Sequence, residues 1–504
     1  MNEERMQGRT VSLEHNLYRI IASVASGAGV WSAGTIPGTG CLACLAFIPL
    51  ILAIRGAPNY RLVLSCGAAF SLCWSLLKLE CIAGMGFRNG RFDSHAIGWL
   101  SLIVLFLVAH TAAVASLYYL WIVRGWPCCL AHSTTWIASE LIADGSMQRG
   151  FGLSLDSLRL ATSQLDGGVF TQCADLGGSL LVSWLVTITN GLVLDLRCRE
   201  PLPTNAFALC IRGMCFVIAF SLTYNVVRPV FLKTLKGPTV VLVPSKWGVL
   251  LSELTTRELR ADLFIWPEGA HAETLNTDMR IETSLAECAT VLDASIIVGC
   301  KRLGDGQRGL LNTACHYSPD TMKFDLSDKQ FLAPISEFVP PLGQWFKIPD
   351  PATPYVPGKS RCWAIQGGWR VGVGICNDAT FAAWGMSIME KQPELLIVIS
   401  NESFSPSNQM RKQLLATYQL RAIGTRRSIL RCAMEGTTCL IDGRGCIVKQ
   451  NRDWRPPTTL LICEMPLTQS WSLYQSCGDS LSLVITCGGV ILGEYVRLTS
   501  RRNR

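Results

Sequence analysis

Long apolar segments dominate the first 225 residues of this 504-residue chain. The hydrocarbon core of a bilayer is about 30 Å thick, so a helix of about 20 apolar residues spans it. Segments of this kind occur at 17–36, 39–54, 62–79, 97–123, 127–144, 177–195 and 206–224, with a last one at 480–496. Charged residues make up only 16% of the chain, against roughly 25% in an average soluble protein. We therefore expect a bundle of about seven transmembrane helices at 1–225, and a C-terminal transmembrane helix with a basic cytoplasmic tail at 478–504.

Basic residues are concentrated in the connections that alternate between these spans. If the N terminus is cytoplasmic, the inner connections carry pairs such as Arg55 and Arg61, and the C-terminal tail carries four more arginines. Because arginine and lysine mark the cytoplasmic ends of membrane helices, this pattern places residues 225–479 outside the cytoplasm. Arginines in the outer connections 80–96 and 145–176 conflict with this arrangement. The same orientation accounts for the net charge of +8, so nucleic acid is not an expected partner.

From about 236 to 465 the pattern changes to short apolar runs. Thr239–Val243, Val371–Ile375 and Leu395–Ser400 are such runs, and stretches long enough for a helix separate several of them. Asp442-Gly443-Arg444-Gly445 stands between two closely spaced runs and predicts a hairpin. Buried strands mixed with helices indicate an α/β sandwich at 236–465.

The segment 341–360 contains too many prolines for a strand or a helix. Its adjacent aromatic residues, Trp345 and Phe346, allow two interpretations. They reach into the lipid interface as part of a mobile lid, or the segment is an ordinary packed surface loop.

The 22 cysteines show no spacing typical of a zinc site. Neither a metal nor another cofactor is expected. Cysteines between Cys288 and Cys477 could form disulfides if that region is exported, but the sequence does not pair them.

Three reactive side chains each lie next to an apolar, strand-like run. Glu268 ends Leu-Phe-Ile-Trp-Pro-Glu, Lys329 precedes Phe331-Leu332, and Cys376 ends Val-Gly-Val-Gly-Ile-Cys. Active sites of α/β proteins cluster at the ends of strands. A cysteine nucleophile needs a base for its proton and a cation near the developing oxyanion, so the three residues together predict thiol-based acyl transfer.

The residues around these three positions resemble motifs of the nitrilase superfamily. The motifs are Trp266-Pro267-Glu268, Asp328-Lys329 followed by Pro334 and Glu337-Phe338-Val339-Pro340, and Gly374-Ile375-Cys376. With membrane segments before and after them, the chain is similar to the bacterial apolipoprotein N-acyltransferases. The resemblance implies a nitrilase-like α-β-β-α sandwich outside the bacterial inner membrane, on its periplasmic side.

The resemblance also implies roles for individual residues. Glu268 would be the general base, Lys329 would stabilise the oxyanion, and Cys376 would carry the acyl chain as a thioester. Glu337 would position Lys329 or the base. Trp247 would shape the acyl pocket, or be an ordinary core aromatic, and Trp345 and Phe346 would contact substrate.

The implied substrates are lipids. The acyl donor would be a phospholipid from the surrounding membrane lipids, and the acceptor would be the N-terminal amine of a diacylated apolipoprotein. The enzyme would act as a monomer without a cofactor. Family members usually have Tyr-Glu after the cysteine, whereas this chain has Asn377-Asp378. We expect these two residues to support the site, and the departure affects the oxyanion hole and the acyl-chain contacts more than the triad.

The sequence allows three other interpretations. A membrane-anchored amidase could use the same triad with water in place of the amine, although one anchor would suffice for a soluble amide. A cysteine–histidine hydrolase would have to use His271 or His316. A transporter or inactive scaffold could use a polar pathway through Glu140, Lys78 and Arg212, in or near the apolar spans.

Overall fold

The computed structural model describes residues 2–80, 94–197, 205–248, 254, 259–275, 279–304, 309–351, 354–403, 408–451, 460–468 and 470–502. Most of the connection 80–96 and of 196–205, together with the last two residues of the basic tail, lies outside these ranges. The chain divides into two compact units. One comprises Met1–Gly145, Leu158–Arg228 and Asp479–Arg504, and the other comprises Ser146–Ser157 and Pro229–Gly478.

The first unit is helical. Its long helices are Asn2–Ala33, Tyr60–Lys78, Ser94–Tyr118, Cys128–Phe151, Ala174–Arg197, Asn205–Val227 and Ser480–Arg502, and a short helix covers Ile48–Arg55. Five helical stretches of the described chain are long and apolar enough to cross a membrane: Tyr60–Lys78, Gly98–Val123, Thr171–Arg197, Asn205–Phe231 and Ser480–Ser500. The spans expected at 17–36 and 127–144 coincide with helices that are not among these five. The span expected at 39–54 is a shorter apolar helical stretch, Gly40–Arg55, and is not among them either.

Charged groups inside the helical unit hold its connections. Glu140 Oε1 accepts hydrogen bonds from the Leu160 amide and the Ser183 hydroxyl, at 2.9 and 3.2 Å. Arg159 forms an ion pair of 2.9 Å with Asp144, and both side chains are buried. Buried charges in a bundle are tolerated when they are paired and hydrogen-bonded. Glu140 therefore has structural partners, which gives the transport interpretation no support from this residue.

The second unit contains thirteen described strands in two sheets. They are β1 (Thr234–Leu242), β2 (Leu263–Ile265), β3 (Thr274–Leu275), β4 (Ser295–Leu303), β5 (Leu310–Ser318), β6 (Lys323–Asp328), β7 (Cys362–Ala364), β8 (Arg370–Ile375), β9 (Leu395–Asn401), β10 (Ser428–Met434), β11 (Cys439–Ile441), β12 (Ile447–Gln450) and β13 (Leu461–Thr468). One sheet has the order β13-β1-β2-β4-β5-β6, with β3 paired to β4, and the other has the order β12-β11-β10-β9-β8-β7.

The two sheets pack face to face between two layers of helices. Alternate residues such as Leu263 and Ile265 of β2 and Val371 and Val373 of β8 form one continuous core between the sheets. The helix Met279–Leu292 covers the outer face of the first sheet. The helices Ala382–Met389 and Asn408–Thr425 cover the second. These four layers are the α-β-β-α sandwich that the resemblance implied.

Turn chemistry places two further segments. The predicted hairpin joins β11 to β12, and the Asp442 carboxylate accepts the amide hydrogens of Arg444 and Cys446 at 2.9 Å. The expectation that 341–360 holds neither helix nor strand is wrong at its start, because Pro341–Trp345 forms a short helix. Proline suits the first turn of a helix, where its missing N–H would have no partner.

Candidate active site

The three residues singled out in the sequence meet at one edge of the sandwich. Glu268 lies just beyond β2, Lys329 directly follows β6, and Cys376 directly follows β8. Lys329 Nζ donates to Glu268 Oε1 at 2.9 Å, and the charges of both residues act on the Cys376 thiol. Their carboxyl-terminal strand ends bring together side chains that are distant in sequence.

The ammonium of Lys329 is enclosed by two carboxylates. Lys329 is 1% exposed, and its Nζ also donates to Glu337 Oε1 at 3.0 Å. Burial alone would lower the pKa of Lys329, but the negative charge of Glu268, and then that of Glu337, outweighs this effect and raises that pKa well above its ordinary value. Lys329 is therefore a permanent cation, suited to an oxyanion.

The two carboxylates are themselves held by further hydrogen bonds. Asn312 Nδ2 donates to Oε1 of both Glu268 and Glu337, at 2.7 Å each. The second oxygen of Glu268 accepts from the backbone N–H of Asn401 at 2.9 Å. The second oxygen of Glu337 accepts from the Ala333 amide at 2.6 Å. These hydrogen bonds fix the orientation of the carboxylates of Glu268 and Glu337.

Asn312 is not among the residues that the sequence motifs predict for the site. It lies on β5, is 7% exposed, and follows two leucines. A buried amide inside an apolar strand has to find hydrogen-bond partners, so this interruption of the run Leu310–Cys315 was the available signal.

Cys376 has an unusual backbone conformation. Its φ is +49°, in the left-handed region that residues with a side chain seldom adopt, and the turn Cys376–Thr380 begins there. The residue stays partly accessible. The sharp turn from β8 into this helical turn presents the thiol at the end of the strand, and backbone strain of this kind is common at active sites.

The thiol is protonated in the resting enzyme. Burial, and then the charge of Glu268, raise the pKa of Cys376 to about 12, although Lys329 and the hydroxyl of Ser400 act in the opposite direction. An ordinary free cysteine has a pKa of about 8.5. Attack by this sulfur would therefore need a base to remove its proton, and Glu268 is the adjacent carboxylate.

Asn377 and Asp378 connect the turn Cys376–Thr380 to the segment that follows Lys329 by hydrogen bonds. The side-chain amide of Asn377 donates through Nδ2 to the backbone carbonyl of Leu332 at 3.0 Å. The Asp378 carboxylate accepts from the amides of Gln330 and Phe331, at 2.9 and 2.7 Å, and from that of Ile375 at 2.9 Å. Burial raises the pKa of Asp378 to about 7, against the effect of these amides. The departure from Tyr-Glu thus places two short hydrogen-bonding side chains inside the fold.

The three predicted substrate-contacting aromatics have different surroundings. Trp247 is partly buried, with its ring 4.8 Å from that of Trp266, and its indole donates to Ser284 at 3.3 Å. Trp345 and Phe346 are 76% and 42% exposed, and their rings contact each other at 4.8 Å. Trp247 packs against the core beneath the first sheet's outer face, and the exposed pair presents an apolar surface to its surroundings.

The histidines have other partners. His316 stacks on Trp363 at 5.3 Å and its Nδ1 lies 3.4 Å from Asp325, while His271 accepts from the Glu273 amide. Neither is among the groups that most affect the Cys376 pKa. Within the described part of the chain, no group of three histidine, cysteine, aspartate or glutamate side chains is arranged to hold a metal ion.

Two family models match the chain. Residues 26–192 match the N-terminal domain of apolipoprotein N-acyltransferases, and residues 245–472 match the carbon-nitrogen hydrolases. The apolipoprotein N-acyltransferase of Geobacter metallireducens is 25% identical over 486 residues, covering 90% of this chain and 91% of the relative. That of Pseudomonas aeruginosa is 23% identical, covering 81% and 83%.

Similar solved structures come from the same superfamily. An amidase of Nesterenkonia sp. is 14% identical with a TM-score of 0.37, covering 51% of this chain and 98% of the amidase. Nit3 of Saccharomyces cerevisiae is 17% identical with a TM-score of 0.35, covering 49% and 96%. Along both its helical and its α/β part, then, the chain is similar to the apolipoprotein N-acyltransferases: it has the N-terminal domain of that family and a carbon-nitrogen hydrolase domain.

Proposed function

We propose that this chain is an acyltransferase that moves an acyl chain from a phospholipid, through a thioester on Cys376, to the N-terminal amine of a diacylglyceryl-cysteine apolipoprotein. The observation that carries this proposal is the buried Lys329 ammonium, hydrogen-bonded to Glu268 and Glu337 beside the Cys376 thiol. It occurs in a chain whose helical part matches the N-terminal domain of the same family.

In the first step the Cys376 sulfur attacks the ester carbonyl of the phospholipid. Glu268 takes the thiol proton as the carbon–sulfur bond forms, and Lys329 stabilises the oxyanion. When the tetrahedral intermediate collapses, the carbon–oxygen bond breaks and Glu268 returns the proton to the glycerol oxygen. The products are a lysophospholipid and the acyl-thioester of Cys376.

In the second step the amine of the acceptor attacks the thioester carbonyl. Glu268 accepts a proton from the amine nitrogen, and the carbon–sulfur bond breaks. The same proton returns to the Cys376 sulfur, so that an amide forms and the thiol is restored. Asn312 and Glu337 hold the Glu268–Lys329 pair in one geometry through both steps.

Both substrates are lipids, and the chain has features suited to them. Five helices of the described chain have the length and composition to cross a membrane, and Trp345 and Phe346 expose an aromatic surface at the end of a short helix. Aromatic side chains favour the membrane–water interface. We place the catalytic unit on the periplasmic side of the inner membrane, from the distribution of arginines, and take the enzyme to act as a monomer with Trp247 lining the acyl pocket.

The test is to trap the thioester. Purified protein is incubated with phospholipid alone, and the Cys376 peptide is examined by mass spectrometry for an added acyl group. A diacylated lipopeptide should then remove that group and gain it as an amide. Cys376→Ala protein should do neither, whereas Cys446→Ala, which changes an exposed cysteine of the hairpin, should retain both reactions.

Two results would contradict the proposal. Acyl transfer by the Cys376→Ala protein would exclude the thioester. Hydrolysis of small amides without any transfer to a lipopeptide would favour the amidase with the same three residues.

A further inference from the structure

A buried group of charged residues lies behind the nucleophile, on the side of the helix Asn408–Thr425. Glu402 and Arg431 are each 0% exposed and form a direct ion pair, and Arg411 lies 4.0 Å from the same carboxylate. Arg431 also donates to the carbonyl of Thr437. A buried ion pair seldom adds stability compared with apolar side chains of similar size, so its presence here needs another reason.

Arg431 supports a buried tyrosine. Its guanidinium lies over the ring of Tyr418 at 5.0 Å from the ring centre, and Tyr418 is 1% exposed. A cation over an aromatic face is attracted to it, more strongly where water is excluded. The ring of Tyr418 is therefore held in one orientation from the Arg431 side.

The hydroxyl of Tyr418 is directed at the backbone of the nucleophile. It donates to the carbonyl oxygen of Cys376 at 3.4 Å. This is a long hydrogen bond. Through this contact, Glu402, Arg431 and Tyr418 form a chain of interactions that ends at the peptide bond between Cys376 and Asn377.

The orientation of that peptide bond matters for the chemistry. In a trans peptide the carbonyl and the N–H point in opposite directions. A carbonyl of Cys376 held towards Tyr418 therefore directs the N–H of Asn377 the other way, at the start of a helical turn, where N–H groups lack acceptors within the turn. Because Cys376 has a φ of +49°, this arrangement is strained and needs outside support.

We propose that Tyr418 is a positioning residue. It fixes the Cys376–Asn377 peptide so that the Asn377 N–H joins Lys329 in binding the oxyanion. The proposal rests on Cys376 being the nucleophile, and it adds a residue of the Asn408–Thr425 helix that does not touch the substrate.

The test compares two reactions of the same thiol. A long-chain aldehyde such as hexadecanal adds reversibly to Cys376: the carbon–sulfur bond forms, the thiol proton moves to the carbonyl oxygen, and the oxygen of the product occupies the oxyanion site. Iodoacetamide alkylates the sulfur by displacing iodide and develops no oxyanion. Aldehyde affinity is measured as protection of the Cys376 peptide from iodoacetamide, read by mass spectrometry.

We expect Tyr418→Phe to weaken aldehyde binding about 10-fold, less than the loss of a whole oxyanion donor. Its alkylation rate without aldehyde and its thermal midpoint should match those of the unchanged chain. In acyl transfer, kcat should fall with KM unchanged, because the lost interaction acts in the transition state. Tyr317→Phe is the matched control, since Tyr317 is a buried tyrosine of β5 that packs on Phe324, and it should bind aldehyde normally.

Unchanged aldehyde affinity in Tyr418→Phe would overturn the inference, and so would an equal loss in both reactions, which would indicate a general effect on the thiol. Failure of the proposed function has a different signature: the unchanged chain would not transfer acyl groups from phospholipid, while the aldehyde measurement would still separate the two variants.

Discussion

At the scale of single residues, Glu268 has two opposite effects on Cys376. Its charge raises the thiol pKa, and in the proposed mechanism it accepts the thiol proton during attack. We expect Glu268→Gln to lower that pKa and increase alkylation of Cys376 by iodoacetamide at pH 8 several-fold. The same variant should lose at least 100-fold in acyl transfer, because general base catalysis contributes 10²–10⁴-fold.

Both rates are measured on one preparation, with alkylation read at the Cys376 peptide by mass spectrometry. Glu287→Gln, a change on the helix Met279–Leu292, is the control and should alter neither rate. A parallel fall of both rates in Glu268→Gln would mean that the carboxylate only maintains the local structure.

The residues visible in the sequence differ from the missed ones in a physical way. Glu268, Lys329 and Cys376 each stand next to an apolar run, so their position at a strand end can be inferred locally. Asn312 and Tyr418 act through partners on other elements, and neither is close to those partners along the chain. Periodicity gives a residue its face, but not the neighbour across the fold.

At the scale of elements, Asp378 connects the turn Cys376–Thr380 to the segment that follows β6 through hydrogen bonds. Its pKa is raised to about 7, chiefly by burial. A carboxyl group with a raised pKa in the folded state binds its proton more tightly there than in the unfolded chain. Its contribution to stability is therefore present at low pH and is lost as the pH rises through about 7.

We expect the thermal midpoint in detergent to fall between pH 5 and pH 8. Over this range the titration of Asp378 lowers the free energy of unfolding by at most about 1.4 kcal/mol per pH unit. Asp378→Asn cannot titrate and should have a flatter profile. It should also be less stable at low pH, because an amide cannot accept all three backbone hydrogen bonds. Identical pH profiles for the two proteins would show that Asp378 does not titrate in this range.

The short helix Pro341–Trp345 and the residue after it offer a second prediction at this scale. Trp345 and Phe346 are exposed, and burying a large apolar side chain contributes about 1.5–3 kcal/mol. Replacing both by serine should reduce the use of phospholipid in vesicles at least 10-fold. Hydrolysis of a soluble short-chain ester such as p-nitrophenyl butyrate should change little, because the triad is intact.

Val448→Ser is the control, since Val448 is 54% exposed on β12. If activity on vesicles and activity on the soluble ester fell equally, the two aromatic residues would stabilise the fold of the catalytic unit rather than contact lipid. The sequence marked these residues by type but assigned them to an irregular loop, because the composition of 341–360 conceals a single helical turn that begins with proline.

At the scale of the whole molecule, the order of helical and α/β parts follows from hydropathy, because runs long enough to span a membrane are unlike the short runs of buried strands. Sheet order is not visible in this way. The last strand, β13, pairs with the first, β1, and the chain between them contains all the remaining described strands of both sheets. Local signals cannot report a pairing between the two ends of a unit.

The side of the membrane on which residues 225–479 lie is a prediction from the arginine pattern alone. Cys446 tests it, because it is exposed in the hairpin between β11 and β12. In spheroplasts that express the chain, a membrane-impermeant maleimide should label the Cys446 peptide without permeabilisation, and Cys446→Ser should lack only that label. Labelling that requires a permeabilised membrane would place the hairpin in the cytoplasm. The catalytic unit would then face the opposite leaflet, and the lipid substrates would have to reach it from the cytoplasmic side.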